Sequence, residues 1–197
     1  NTLLGDLYGA GRLLREGALP ASLVLGHSGF LRPAVGTQAP GGIFLHSYAA
    51  DLARSPDGSW WVLNDRTQAP SGAGYALENR LLVARLFPDA FRAQRVARLS
   101  TFFALLRDSL LQLAPQGDGA PLAVVMTPGP YNETYFEHSF LARYLGFPLV
   151  EGHDLLVRDG KVWLKTVEGL QRVHSILRRQ DDTFCDPLEL RADSALG

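Results

Sequence analysis

Cysteine occurs once in the 197 residues, at Cys185, which excludes an internal disulfide and a Cys-rich zinc site. Such sparse thiol use fits a reducing compartment, and the expected location is the cytoplasm. Long apolar runs are missing too: stretches such as "PLAVVM" and "TFFALL" fall far short of the roughly 18 residues that cross a bilayer. The first residues carry no signal-peptide pattern, so no membrane partner is expected. Excess charge of one sign is also lacking. Nineteen basic against twenty acidic residues leave a net charge of -1 with no polybasic run, which argues against nucleic acid as a partner. No P-loop, GxSxG, HExxH or Cys/His ligand spacing is present, so any chemistry has to come from dispersed residues.

What is present is a globular composition, 46% hydrophobic, long enough for one sizeable core or two small ones. Residues 1–26 read as helix and turn, followed by loop to Gly42. From there the period shifts towards two, and "IFLHSYAADLAR" and "WWVLND" are expected to pair antiparallel around an Asp57-Gly58 turn. A helix is expected from Tyr75 to just before Pro88, then one or two amphipathic helices ending at Pro115. The composition break "PQGDGAP" marks an expected domain boundary, separating residues 1–115 from 121–197. Beyond it, "LAVVMT" has the continuous apolar character of a strand buried on both faces, "YFEHSFLARYLG" the pattern of a helix, and "FPLVEG" that of a second strand. "LLVRDGKVWLKT" reads as a hairpin turning on Asp159-Gly160, and "LQRVHSILRR" as a strand-like run. Strand, turn, helix, strand opens a Rossmann-like α/β unit, though its turn is not a GxGxxG loop. The chain begins without Met and stops at "RADSALG", which reads as a piece of a longer protein.

Several polar groupings have both a chemical and a plain reading. Asp51 and Asp65 lie at the ends of two strands expected to pair, where carboxylates can converge on Mg²⁺; the plain reading, a solvated strand end, is favoured. Ser71 and the glycines after it precede a helix, whose backbone N–H groups can receive an anion or simply need an ordinary cap. Asn132, Glu133 and Thr134 stand at a strand-to-helix junction, where α/β folds bind ligands and where Asn132 is also a good cap. Glu137 and His138 are adjacent on a helix and so point in different directions, which argues against a joint acid/base role. Arg178, Arg179, Asp181 and Asp182 follow a strand-like run, either to hold a carboxylate or phosphate or to pair with one another.

Three stretches, "DLARSPDGSWWVLNDRTQAPSGAGYALENR", "TPGPYNETYFEHSFLARYLGFPLVEGHDL" and "RRQDDTFCDPLELRADSALG", together resemble the circularly permuted ATP-grasp proteins, distant relatives of glutathionylspermidine synthase. The resemblance implies an α/β (mixed α+β) fold: an antiparallel hairpin and helices of a partial ATP-grasp domain, followed by a Rossmann-like pre-ATP-grasp domain. It implies ATP-dependent ligation of a small-molecule or peptide carboxylate to an amine through an acyl phosphate, with ATP and Mg²⁺ as cofactors and the remaining domains of the same chain as partners. Asp51 matches the first metal position of the synthase-like pattern. The following Glu-x-Asn falls on Asn64 and Arg66, a departure that bears on metal binding, with Asp65 as a substitute carboxylate. "PSG" at Pro70–Gly72 and "ENR" at Glu78–Arg80 fit the family.

The implied assignments are Asp51, Asp65 and Asn64 on metal, and Arg66 and Arg80 as catalytic cations. Ser71, Gly72, Asn79, Asn132, Glu133, Arg178, Arg179 and Asp182 fall on phosphate or substrate. The segment alone is expected to be inactive. A non-catalytic module derived from ATP-grasp, binding a peptide or protein partner, is the alternative, and it is favoured by Asn64 and Arg66. An unrelated nucleotide-sugar or coenzyme-binding α/β domain is a third reading.

Overall fold

The computed structural model describes residues 1–115, 117, 119–185, 192–194 and 196. Residues 186–191, which belong to the last of the three stretches quoted above, lie outside the described residues. Two compact units are present, Asn1–Tyr48 and Ala49–Gly197.

In the first unit three short helices follow one another: α1 (Thr2–Leu7), α2 (Arg12–Arg15) and α3 (Ala21–Leu25). Asp6, near the end of α1, caps the start of α2, because its carboxylate accepts the backbone N–H groups of Arg12 and Leu13, each at 3.0 Å. Such donors have no intrahelical partner and need one. Tyr8 stacks on Phe30 with ring centroids 5.2 Å apart, and its hydroxyl accepts the N–H of Leu31, which pins the following loop.

The second unit is a mixed α/β structure that opens with the antiparallel hairpin of β1 (Ala49–Arg54) and β2 (Trp60–Arg66). Its turn is the expected one. Gly58 takes φ 90°, accessible to glycine, and Asp57 accepts the Ser59 N–H at 3.0 Å. Helix α4 (Ala73–Leu86) starts two residues before the expected Tyr75, and α5 (Pro88–Ala93) and α6 (Ser100–Gln112) resolve the next stretch into two helices. Pro88 occupies the first turn of α5, where its missing N–H costs nothing, and Arg95, at φ 49°, lies in the link between α5 and α6.

Strand β3 (Ala123–Met126) is buried along its whole length, as its unbroken apolar run predicts. Helix α7 (Tyr135–Leu145) ends on Gly146 in the left-handed conformation and returns the chain to β4 (Leu149–Val150), parallel to β3. Next come β5 (Leu155–Arg158), β6 (Lys161–Thr166) and β7 (Gly169–Val173), an antiparallel meander. Asp159 and Gly160 both take positive φ, the requirement of a tight two-residue hairpin. β8 (Ser175–Arg178) then pairs parallel to β3, giving a sheet of order β4-β3-β8. The run "LQRVHSILRR" thus serves two sheets, and His174 is the residue between them.

Two apolar clusters meet at β3. Val125 faces Leu77 of α4, Phe103 and Leu110 of α6, and Phe140 and Leu145 of α7. Val124 and Met126 face the other way, towards Leu164 of β6 and Val173 of β7. Alternation along one strand therefore joins the helical layer to the meander. The expected boundary at 115–121 falls inside this second unit. Among the described residues, no helix is long and apolar enough to cross a membrane.

Candidate functional site

The carboxyl end of β3, the start of α7 and the segment after β8 border a mostly polar cavity of about 410 Å³. Ser71, Asn132, Glu133 and Arg179, assigned separately from the sequence, all line it. So do Thr134, Gln180 and Asp181, which carried no assignment in the sequence reading apart from their motifs. Parallel α/β sheets present ligand sites at this end because the loops leaving the strands diverge there.

Glu137 organises one wall. It is fully buried, and its carboxylate accepts the backbone N–H of Gly72 at 2.8 and 3.0 Å and that of Gly74 at 2.9 Å. The N–H groups at the start of α4, expected to receive a phosphate, thus hold the protein's own carboxylate. This supplies the cap that Gly72 cannot provide from its own side chain and accounts for the early start of α4. A Cβ on Gly74 would lie 2.8 Å from Glu137 Cγ, so glycine is what permits the approach. Arg179 Nη2 lies 3.8 Å from Glu137 Oε2, and both side chains are essentially removed from water. Burial pulls the Arg179 guanidinium below its ordinary range, and the Glu137 charge opposes that.

His138 diverges from Glu137, as adjacency on a helix requires, and stands in a directional chain of hydrogen bonds. Gly129 N–H donates to Thr127 Oγ1 at 3.2 Å, and Thr127 Oγ1 lies 2.8 Å from His138 Nδ1. On the other side His138 Nε2 lies 3.0 Å from Thr134 Oγ1, which donates to Asn132 Oδ1 at 2.7 Å. Because the Thr134 hydroxyl proton is spent on Asn132, Thr134 accepts from His138, and the imidazole carries its proton on Nε2 and accepts from Thr127 on Nδ1. The neutral form is enforced: burial, with the Arg179 charge adding to it, lowers the imidazole to about 4. Asn132 is held by this chain and by accepting the Thr134 N–H at 2.9 Å. It forms a turn two residues ahead of Thr134, which is the residue that flanks α7.

The hairpin assignments resolve differently. Asp51 stands opposite Asn64, Ala50 opposite Asp65 and Ala49 opposite Arg66. Side chains alternate along a strand, so Asp51, Asn64 and Arg66 share one face and Asp65 has the other. Arg66 donates from Nε to both Asp51 oxygens at 3.1 and 3.0 Å and adds an Nη2 contact at 2.9 Å, while Asn64 donates at 3.4 Å. Arg66, and then Asn64, hold the Asp51 carboxyl below its usual range despite an opposing effect of burial. A Mg²⁺ ion needs convergent oxygens. The Asp51 oxygens are forked by a guanidinium and Asp65 faces away, so these residues do not fit that ion. Among the described residues, no group of three or more His, Cys, Asp or Glu is placed to hold a metal.

The remaining assigned residues lie apart from the polar cavity. Arg80 donates to the Ala97 carbonyl and lines an apolar cavity with Leu77, Phe91 and Tyr144. Asn79 is exposed on α4. Arg178 donates to Cys185 Sγ at 3.7 Å, and Asp182 accepts from Gln68 Nε2. Glu137, Thr127 and Gln180 are the site residues that sequence reasoning missed or set aside. The partners of Glu137 are remote in the chain, and the burial that gives Thr127 and Gln180 their roles has no local pattern to announce it.

Comparison with known proteins agrees with this fold. The profile of the family described as "Circularly permuted ATP-grasp type 2" matches residues 1–197. An uncharacterized protein of Synechocystis sp. is 44% identical over the whole chain, which spans 41% of that relative. Two uncharacterized proteins of Mycobacterium tuberculosis are 46% identical over all of the chain and 45% over 98% of it, and it spans 22% and 35% of them. The chain therefore covers well under half the length of these relatives. The reading as an unrelated coenzyme-binding domain gives way to this match. On the whole-length profile and these identities, the chain belongs to the circularly permuted ATP-grasp type 2 family.

Proposed function

We propose that the polypeptide carrying this segment is an ATP-dependent carboxylate–amine ligase, and that the cavity between β3, α7 and the β8 exit receives one of its substrates. In such a reaction a carboxylate oxygen attacks the γ-phosphorus, ADP leaves, and the amine displaces phosphate from the acyl phosphate. One observation carries the assignment to a substrate rather than to nucleotide. The helix-start N–H groups are filled by Glu137, while the cavity beside them keeps the buried guanidinium of Arg179. ATP-grasp proteins generally bind ATP and Mg²⁺, and in this reading both are held by groups outside the residues described. The parallel β3–α7–β4 unit supports taking residues 121–197 as a Rossmann-like pre-ATP-grasp domain, with residues 1–115 as helices and a partial ATP-grasp segment. The remaining domains of the same chain complete the active site, and this segment alone is inactive.

The full chain, supplied with ATP, Mg²⁺ and mixtures of amino-acid or peptide carboxylates and amines, is expected to release phosphate only when both substrate types are present. With the fold intact, absence of turnover in every mixture sinks the ligase reading. A second reading, a non-catalytic module that binds a peptide or protein partner, is favoured by the Asp51–Arg66 fork standing where metal ligands are expected. It predicts ligand binding with no ADP formed.

A further inference from the structure

The polar cavity has an unusual deficit. Arg179 is nearly fully buried, yet among the described residues its side chain makes no hydrogen bond, and Nε is left without a partner. A guanidinium offers five N–H donors. Its one ion-pair contact, to Glu137, is long because the Glu137 oxygens are engaged by Gly72 and Gly74. Gln180, buried beside it, lacks a partner for Oε1, while its Nε2 donates to Cys185 Sγ and the Leu196 carbonyl. Native structures fill such groups with protein, water or ligand, and both residues border the same open space.

The charge around that space is mixed. Glu133 and Asp181 line it, are exposed, and have no hydrogen-bond or ion-pair partner for their carboxylates among the described residues. A simple anion attracted by Arg179 meets two carboxylates, and a simple amine attracted by them leaves the guanidinium unfilled. A ligand bearing both an ammonium and a carboxylate satisfies the whole set, and about 410 Å³ is a volume suited to a small molecule. We propose that this cavity binds the amino-acid end of a substrate, with its carboxylate on Arg179 and its ammonium between Glu133 and Asp181. The neutral His138 chain keeps Asn132 oriented at the edge of the same space. This deepens the ligase reading and rests on it for treating the cavity as a substrate site.

The test is a calorimetric titration of the full chain with L-alanine, propionate, ethylamine and inorganic phosphate. Each is run without nucleotide and again with Mg²⁺ and a non-hydrolysable ATP analogue. L-alanine is expected to bind, with the other three weaker by about tenfold or more, the equivalent of one lost charge-assisted hydrogen bond. Glu133→Gln combined with Asp181→Asn, both at exposed positions, is expected to weaken L-alanine by a similar factor while circular dichroism shows the fold retained. Propionate or phosphate binding as tightly as L-alanine overturns the proposal, as does indifference to the double variant or no binding by any of the four. L-alanine binding without phosphate release in any substrate mixture defeats the ligase reading alone, whereas ligation without L-alanine binding defeats this inference alone.

Discussion

Glu137 Oε1 lies 2.8 Å from the backbone nitrogen of Gly72, so a carboxylate from α7 closes the start of a helix 65 residues earlier in the chain. The same carboxylate faces Arg179, which follows β8. One buried charge therefore ties three segments together at the edge of the polar cavity.

Removing that charge is expected to be costly. Glu137→Gln keeps an acceptor for Gly72 and Gly74 but strands the Arg179 cation, and breaking a buried pair this way costs about 3–5 kcal/mol. Urea unfolding is the measurement. Glu137→Gln combined with Arg179→Met is expected to lose less than the single change, because it removes both charges.

Gly74→Ala reverses a familiar sign. Replacing glycine by alanine at a compatible position stabilises by about 0.4–1 kcal/mol. Here the new Cβ lands 2.8 Å from Glu137 Cγ, and the expected outcome is a loss of about 1–3 kcal/mol from overpacking. A variant at least as stable as the parent contradicts the tight approach of α4 and α7.

His138 sets a pH dependence. Its folded pKa of about 4 lies below the unfolded value of 6.5, so the unfolded chain takes up a proton that the native state refuses. Stability is full above pH 6.5 and falls as the pH drops towards 4, by up to about 3 kcal/mol. Unfolding free energies at pH 7 and pH 5 should show the drop, and His138→Gln should flatten it. An imidazole resonance of His138 that titrates near 6.5 in NMR spectra contradicts the burial and the tautomer together.

Asp51 and Arg66 make the opposite kind of pair. Both are open to solvent, so Arg66→Ala is expected to shift thermal unfolding little, and the shift should shrink as salt rises. The lowered Asp51 pKa makes its small contribution present above the usual carboxylate range and lost as the pH falls below that range through the lowered value. A large, salt-insensitive loss means that the fork does more than neutralise a strand end.

The hairpin shows where reading the sequence stops. Its strands and its Asp57-Gly58 turn were legible because period-two alternation and a glycine that accepts positive φ are local properties. The partners of Asp51 were not, since a one-residue difference in register moves a side chain to the other face. Only the pairing of Asp51 with Asn64 brings Arg66 onto its side and turns Asp65 away.

By itself, the sequence carried the motif stretches that mark the family, and it determined the apolar run of β3, the amphipathic α7 and the glycine turns, these three set by periodicity and backbone sterics within a few residues. The tertiary structure alone decided that Glu137 fills the helix start expected to hold phosphate, that His138 stays neutral, and that Ser71, Asn132, Glu133 and Arg179 share one cavity. Those outcomes depend on partners distant in the chain and on removal from water, and neither leaves a pattern along the chain.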